Sequence, residues 1–310
     1  GQCVNGWFRN PEFDPADGAD VPGAVLLGDG QLEMLRAWAV DFSDGVWMKV
    51  ALSQTVFSNV ATLPQGATSG GVLPSLRMLP ADEYPENERL AADADSNGWP
   101  QSGRNRALRE LRRGLAVHIA GDQHLGSLIE YGIDAWRDAG FAFAVPAIAN
   151  TWPRRWFPPE PGANRDPQDP RYCGDFRDGF GNLMTVYAVS NPHITGQEPA
   201  RLYDRAPGYG IVRLDRRTRQ ITFECWPRWV DPAQAGAPQY PGWPRTISQL
   251  DNHGPASVGW LPVIKAVGAD DFVVLVHDEP TGEIEYALRT LGEAPLTRAA
   301  ESASPAGLRL

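Results

Sequence analysis

The stretch LAVHIAGDQHLGS, Leu115–Ser127, decides how the chain is read. LAVHIA is an apolar run with one histidine in it, the form of a buried strand. Gly121 and Gly126 follow and allow tight backbone geometry. Between them Asp122 and His124 stand two residues apart, so in a turning segment their side chains point the same way while Gln123 points elsewhere. The chain has only five histidines, and this one sits just past a strand, where functional groups of α/β proteins gather. A carboxylate and an imidazole so placed suit iron, manganese or zinc, or form a general acid/base pair. The same residues also serve as a plain turn, with Asp122 capping backbone N–H groups and His124 solvated. Residue types alone leave both readings open.

Working outward, RNRALRELRR (Arg104–Arg113) predicts a helix with Ala107, Leu108 and Leu111 on one face and Gly114 as its stop. A second amphipathic helix is expected from Gly28 to Phe42, capped by Asp29. WMKVALS (Trp47–Ser53) reads as a buried strand ending in Gln54 and Thr55. Beyond the GDQH turn, AWRDAG (Ala135–Gly140) closes a further helix and FAFAVPAI (Phe141–Ile148) is the next strand. This alternation predicts an α/β layer arrangement through about residue 150. Residues 62–103, rich in Gly, Pro, Ser and acids, read as a long surface excursion, and 151–182 as a loop or lid outside the core. After that, short apolar runs separated by turn residues predict a β-rich C-terminal region, with hairpins around Asp215–Thr218 and Pro280–Gly282. The expected division is 1–200 for the α/β part and 201–310 for the β-rich part, with a frayed tail from Glu301.

Bulk properties remove several classes of function. A net charge of −10, with Lys and Arg scattered, gives no phosphate-backbone footprint. No run approaches the length of a membrane-spanning helix. Cys3, Cys173 and Cys225 show no metal-ribbon or disulfide spacing. No GxSxG elbow, P-loop or GxGxxG fingerprint is present. The opening GQCVNGWFRNPEF reads like the middle of a loop, so a missing N-terminal part is expected.

The run AGDQHLGSLIEYGIDAWRDAGFAFAVPAIANTWPRRWFPP resembles the metal-motif region of the PhoD-like (alkaline phosphatase D) branch of the calcineurin-like metallophosphoesterases. The resemblance extends back through LLGDGQLEMLRAWAVDF, MKVALSQTVFSNVAT and DSNGWPQSGRNRALREL, and forward through GNLMTVYAVSNP, GYGIVRLDRRTRQITFECWPRWVD and PGWPRTISQLDNHG. It implies a four-layer α/β/β/α core, of which this chain is the C-terminal portion. It also implies a two-metal site drawn from iron, calcium, manganese and zinc, acting on a phosphorylated small molecule or a phosphodiester. By position, Asp122 and His124 are the implied metal ligands, with Gln54 a weaker third. The GD and DDHE-like segments that supply the other ligands in such enzymes have no counterpart here. Export to a periplasmic or extracellular space is the family's common location.

Among the remaining candidates, Asn97 and Arg104 could contact phosphate from the loop before the GDQH strand. Arg154 and Arg155 could stabilise phosphoryl charge, although stacking on Trp152 and Trp156 or pairing with acids is the simpler expectation. His118, inside its strand, is expected to be a hydrogen-bonded core residue. His193, His253 and His277 lack metal-ligand neighbours, and Asp251–His253 reads as a turn. From another class of function, eleven Trp, many beside Pro in loops, would suit a β-rich extracellular protein that binds glycans or a partner.

Overall fold

The computed structural model describes residues 17–67, 75–255 and 264–291 without interruption, plus isolated positions and short strand segments outside them. The N-terminal hairpin strands Cys3–Val4 and Trp7–Phe8 are described only as backbone, and the tail from Glu301 lies outside the described residues.

The architecture is α/β. Helix α1 (Asp29–Val40) packs on α2 (Gln101–Arg113). Gly28 rather than Asp29 occupies the N-cap of α1, where the Gln31 side chain accepts its N–H. Strands β1 (Val50–Ser53), β4 (Val117–Ala120), β5 (Ser127–Tyr131), β6 (Phe141–Ala144), β7 (Gly174–Arg177) and β8 (Leu183–Val189) form one mixed sheet in the order β1-β4-β6-β5-β8-β7. Strands β1, β4 and β6 run parallel, while β5 and β7 oppose their neighbours. The carboxyl ends of β1, β4, β6 and β8 therefore share one edge of the sheet. Between β1 and α2 lies a hairpin of β2 (Thr62–Pro64) and β3 (Glu88–Leu90).

Side-chain alternation gives the sheet two buried faces. Ile129, Tyr131, Ala142 and Ala144 meet Ala107, Leu108 and Leu111 of α2. Leu128, Phe141 and Phe143 face the other way, against Ile221, Phe223 and Trp243 of a second sheet. That sheet is β9 (Gly208–Asp215), β10 (Gln220–Pro227) and β11 (Arg245–Ser248). Residues 208–248 thus supply a layer of the same core. The hairpin β12 (Asp271–His277) and β13 (Ile284–Leu291) packs Val274, Val276, Tyr286 and Leu288 around Leu115. Cys173 and Cys225 are buried free thiols.

Four expectations are corrected. Residues 135–140 form no helix: the Asp138 carboxylate accepts the backbone N–H groups of Ile133 (2.5 Å), Asp134 (2.9 Å) and Ala135 (3.0 Å), and holds them in a turn. Before that turn stands β5, an unexpected strand whose every residue is buried. The 151–182 segment is not outside the core. Pro153–Phe157 is buried throughout, Trp156 donates its backbone N–H to Asn191 and its indole N–H to the Tyr172 carbonyl, and β7 adds an edge strand. Likewise 62–103 is anchored by a satellite cluster of Ala61, Leu63, Leu73, Leu76 and Ala91. Gln249–His253 is a short 3-10 helix rather than an open turn.

Because Asp138 alone accepts those three N–H groups, Asp138→Ala should cost about 2 kcal/mol of stability. Urea unfolding of the two proteins measures it, and an unchanged midpoint would remove this role.

Candidate active site

The GDQH loop leaves β4 at the edge where β1 also ends, and the first ties are between backbones. Gly121 donates its N–H to the Gln54 carbonyl at 3.0 Å, fixing the two strand ends together. Asp122 (φ 59°) and His124 (φ 55°) both lie in the left-handed region, which non-glycine residues enter rarely and which tends to persist where surrounding contacts over-determine it. Those contacts are visible. The Gln123 side chain points inward, bonded to Thr55 Oγ1 and facing Arg154 Nη1 at 3.4 Å. Asp122 points out, and Gln54 Nε2 donates to its Oδ2 at 3.3 Å.

His124 is oriented by Asn150. The Asn150 amide nitrogen donates to two backbone carbonyls, His124 at 2.9 Å and Arg205 at 2.7 Å. Its oxygen is therefore the atom that faces His124 Nδ1 at 3.0 Å, so Nδ1 carries the hydrogen. The neutral ring consequently presents a bare Nε2, and among the described residues no other hydrogen bond holds it. This is how ligating or proton-accepting histidines are commonly set, usually with a carboxylate or carbonyl in the place Asn150 takes.

Behind this pair lies a polar floor that the loop reading did not resolve. Asp93 is fully buried and forms an ion pair with Arg154. Arg154 also reaches Asn59 Oδ1 at 3.3 Å. Asp95, two residues on and exposed, has its carboxyl held above the usual range by burial and by the neighbouring carboxylates of Asp93 and Asp122, against the pull of Arg154. Asn97 is close by, donating from Nδ2 to the Thr55 carbonyl at 3.1 Å. The ADADSN spacing, with Asp93 accepting the Asp95 N–H at 3.0 Å, is the available sequence signal for this loop.

Gln54, Asn97, Asp122 and His124 thus come from the neighbouring ends of β1 and β4 and the loop before α2. Arg104 does not join them. Its side chain is buried within α2's packing and donates to the Phe57 carbonyl at 2.8 Å, the Gly132 carbonyl at 2.6 Å and the Leu183 carbonyl at 3.2 Å, leaving it no reach to a phosphate. Arg155 pairs with buried Glu88 at 2.6 Å, so both arginines of the PRRWF run are paired with acids. His118 is a core residue, bonded to Ser53 Oγ at 2.7 Å and Tyr131 Oη at 2.9 Å, and burial pushes its ring down to about 4.

Donor chemistry and donor count point different ways. A bare imidazole nitrogen and an exposed carboxylate suit iron, manganese or zinc. Yet among the described residues no group of three or more His, Cys, Asp or Glu is arranged to hold a metal ion. The described side chains do not form a complete metal site. Comparison with protein-family profiles, with curated proteins and with solved structures found no match for this chain.

Two outcomes follow from these contacts. Long-range 1H–15N NMR of the neutral His124 ring should show hydrogen on Nδ1, with Asn150→Ala shifting the population toward hydrogen on Nε2; an identical spectrum in the variant removes Asn150 from that role. For His118, the unfolded ring takes up a proton as pH falls through 6.5 while the folded ring does not until about 4. The folded state should therefore lose roughly 3 kcal/mol at most across that window. Denaturation of the wild type and of His118→Asn across pH 7 to 4 should show the steeper fall only in the wild type.

Proposed function

We propose that the chain contributes part of the active site of a metal-dependent phosphoester hydrolase of the PhoD-like type. The observation that supports this most directly is the joint placement of Asp122 and His124 on one loop, with Asn150 engaging Nδ1 so that Nε2 is left as the ring's lone-pair atom. In this reading Asp122 and His124 are metal ligands, Gln54 steadies the Asp122 carboxylate, and Asn150 fixes the imidazole. Asn97 stands near enough to β1 to contact a phosphoryl group, while Arg154 acts behind the site by holding Asp93 and Gln123.

Two metal ions, when bound, supply Lewis acidity and a hydroxide nucleophile for attack on a phosphomonoester or diester. The described donors do not complete that site, so the reading requires further donors from outside the described residues. In this reading the helices, the six-stranded sheet and the three-stranded sheet would be three layers of a four-layer α/β/β/α core. Among the described residues strand β1 has no second neighbour, and its Leu52 is 76% exposed, so this is where further strands of such a core would pair. Among the described residues no helix is long and apolar enough to cross a membrane, and a periplasmic or extracellular location rests on the resemblance alone.

A second reading is glycan binding, favoured by a cleft of about 400 Å³ lined by Tyr84, Phe157, Tyr172 and Tyr240. Aromatic rings of that kind stack on sugar faces.

The test uses the product of the full reading frame, assayed with p-nitrophenyl phosphate and bis(p-nitrophenyl) phosphate, with bound metal measured in parallel. His124→Ala and Asp122→Asn should lower metal content and activity together, by at least about 100-fold in activity, and Asn150→Ala by about 10–100-fold. Full activity in both ligand variants would refute the assignment. Oligosaccharide binding by a protein that takes up no metal would favour the second reading.

A further inference from the structure

At the opposite edge of the sheet, between its lower half and the β9–β11 layer, lies a cleft of about 410 Å³ that takes no part in the candidate active site. Glu130, near the end of β5, lines it. Its register partners are Phe141 at the start of β6 and Thr185 in β8, so it sits where the two sheets begin to part. The residue is 6% exposed. Tyr187 donates its hydroxyl to Glu130 Oε2 at 2.6 Å, and among the described residues no hydrogen bond reaches Oε1 of this cleft-lining side chain. A carboxyl this deep normally has both oxygens satisfied or a cation beside it.

The neighbouring arginines do not fill that place. Arg137 is committed to Asp175 at 2.9 Å, and Arg245 to the Gly242 carbonyl at 2.8 Å with Asp169 at 3.5 Å. No cation stands within ion-pair distance of Glu130 among the described residues. Asp251, which also lines the cleft, accepts the Ser248 backbone N–H at 2.8 Å. The remaining walls include Leu128, Ile247, Thr246 and the Phe141 and Tyr187 rings, which stand 5.3 Å apart and are tilted by 36°.

A carboxylate beside tilted aromatic rings in a cleft of ligand size is the chemistry that recognises an organic cation. We infer that this cleft binds an alkylammonium or guanidinium group, with Glu130 as its counter-ion and Phe141 and Tyr187 as its walls. Burial holds the Glu130 carboxyl up at about 7, against the Tyr187 hydrogen bond and the charge of Arg137 and with the added repulsion of Asp251 and Asp175. A bound cation favours the ionised form, so binding releases a proton at neutral pH. Facing Glu130 are Tyr187, Arg137, Arg245 and Asp251, with Asp175 behind Arg137. The arginines keep their charge throughout, and burial pushes the Tyr187 phenol further up.

The experiment is calorimetric titration of the full chain with n-butylammonium chloride, with sodium butyrate and 1-butanol as controls, at pH 6 and pH 8. Saturable binding of the ammonium alone is expected, roughly tenfold tighter at pH 8 than at pH 6, and at least about tenfold weaker in Glu130→Gln. If that variant does not fold, the pH dependence of the wild type carries the test. Butyrate binding as well as butylammonium, no saturable heat with the ammonium, or equal binding in a Glu130→Gln protein that melts like the wild type would each overturn the inference. Asp122 and His124 are at the other edge, so His124→Ala should leave this binding unchanged, and the outcome is independent of the hydrolase assignment.

Discussion

Arg154 and Asp93 form an ion pair from which water is almost wholly excluded. Either charge left alone there would cost several kcal/mol, so the segments that carry them can only move together. Asp93 belongs to the loop before α2 and Arg154 to the PRRWF run, 61 positions apart. Through Asn59 and Gln123 the same guanidinium also touches the segment after β1 and the GDQH loop. Four stretches of chain that share no secondary structure are thereby held in one place. The outward position of Asp122 follows from the inward position of Gln123, which has its partners in Thr55 and Arg154.

The rest of the arrangement comes from a sheet with both faces covered. Strands β5 and β6 bury alternate residues against α2 and against the second sheet. In that setting a polar side chain needs a partner of its own. His118 has Ser53 and Tyr131; Glu130 has Tyr187 on one oxygen only. Backbone leaving the sheet is freer, because it has no ladder to satisfy. Unusual dihedrals such as those of Asp122 and His124 accordingly occur in the loop and not in the strands.

Legibility in the sequence tracks how local each determinant is. The α2 helix, the strand at Val117–Ala120, the β8–β10 strands and both C-terminal hairpins follow from periodicity and turn residues within a few positions. Strand β5 does not, because SLIEY is buried on both faces and carries no alternation. The helix expected at Ala135–Gly140 failed for a local reason that the pattern hides: one carboxylate, Asp138, outcompetes the helix for three N–H groups. Arg104 shows the same limit for function. A guanidinium in a polar loop looks available to phosphate until α2 begins three residues earlier than expected and folds it inward. The GDQH turn was legible as a candidate, whereas Asp93, Asp95, Asn150 and Arg154 meet it only through tertiary contacts, and no spacing rule connects them.

The two polar features at opposite edges of the sheet differ in how far they are enclosed. At the upper edge, Asp122 is exposed and His124 is oriented by Asn150, and among the described residues they belong to no group of three or more His, Cys, Asp or Glu that could hold a metal ion. At the lower edge, Glu130 is nearly enclosed, with Tyr187 bonded to Oε2 and the side chain lining the cleft. A buried carboxyl that cannot reach water in full must either take up a proton or find a counter-charge, and the first of these is what burial already drives toward neutrality. The central strands between them are closed on both faces, so each edge answers to its own loops, and a ligand at one has no shared side chain through which to alter the other.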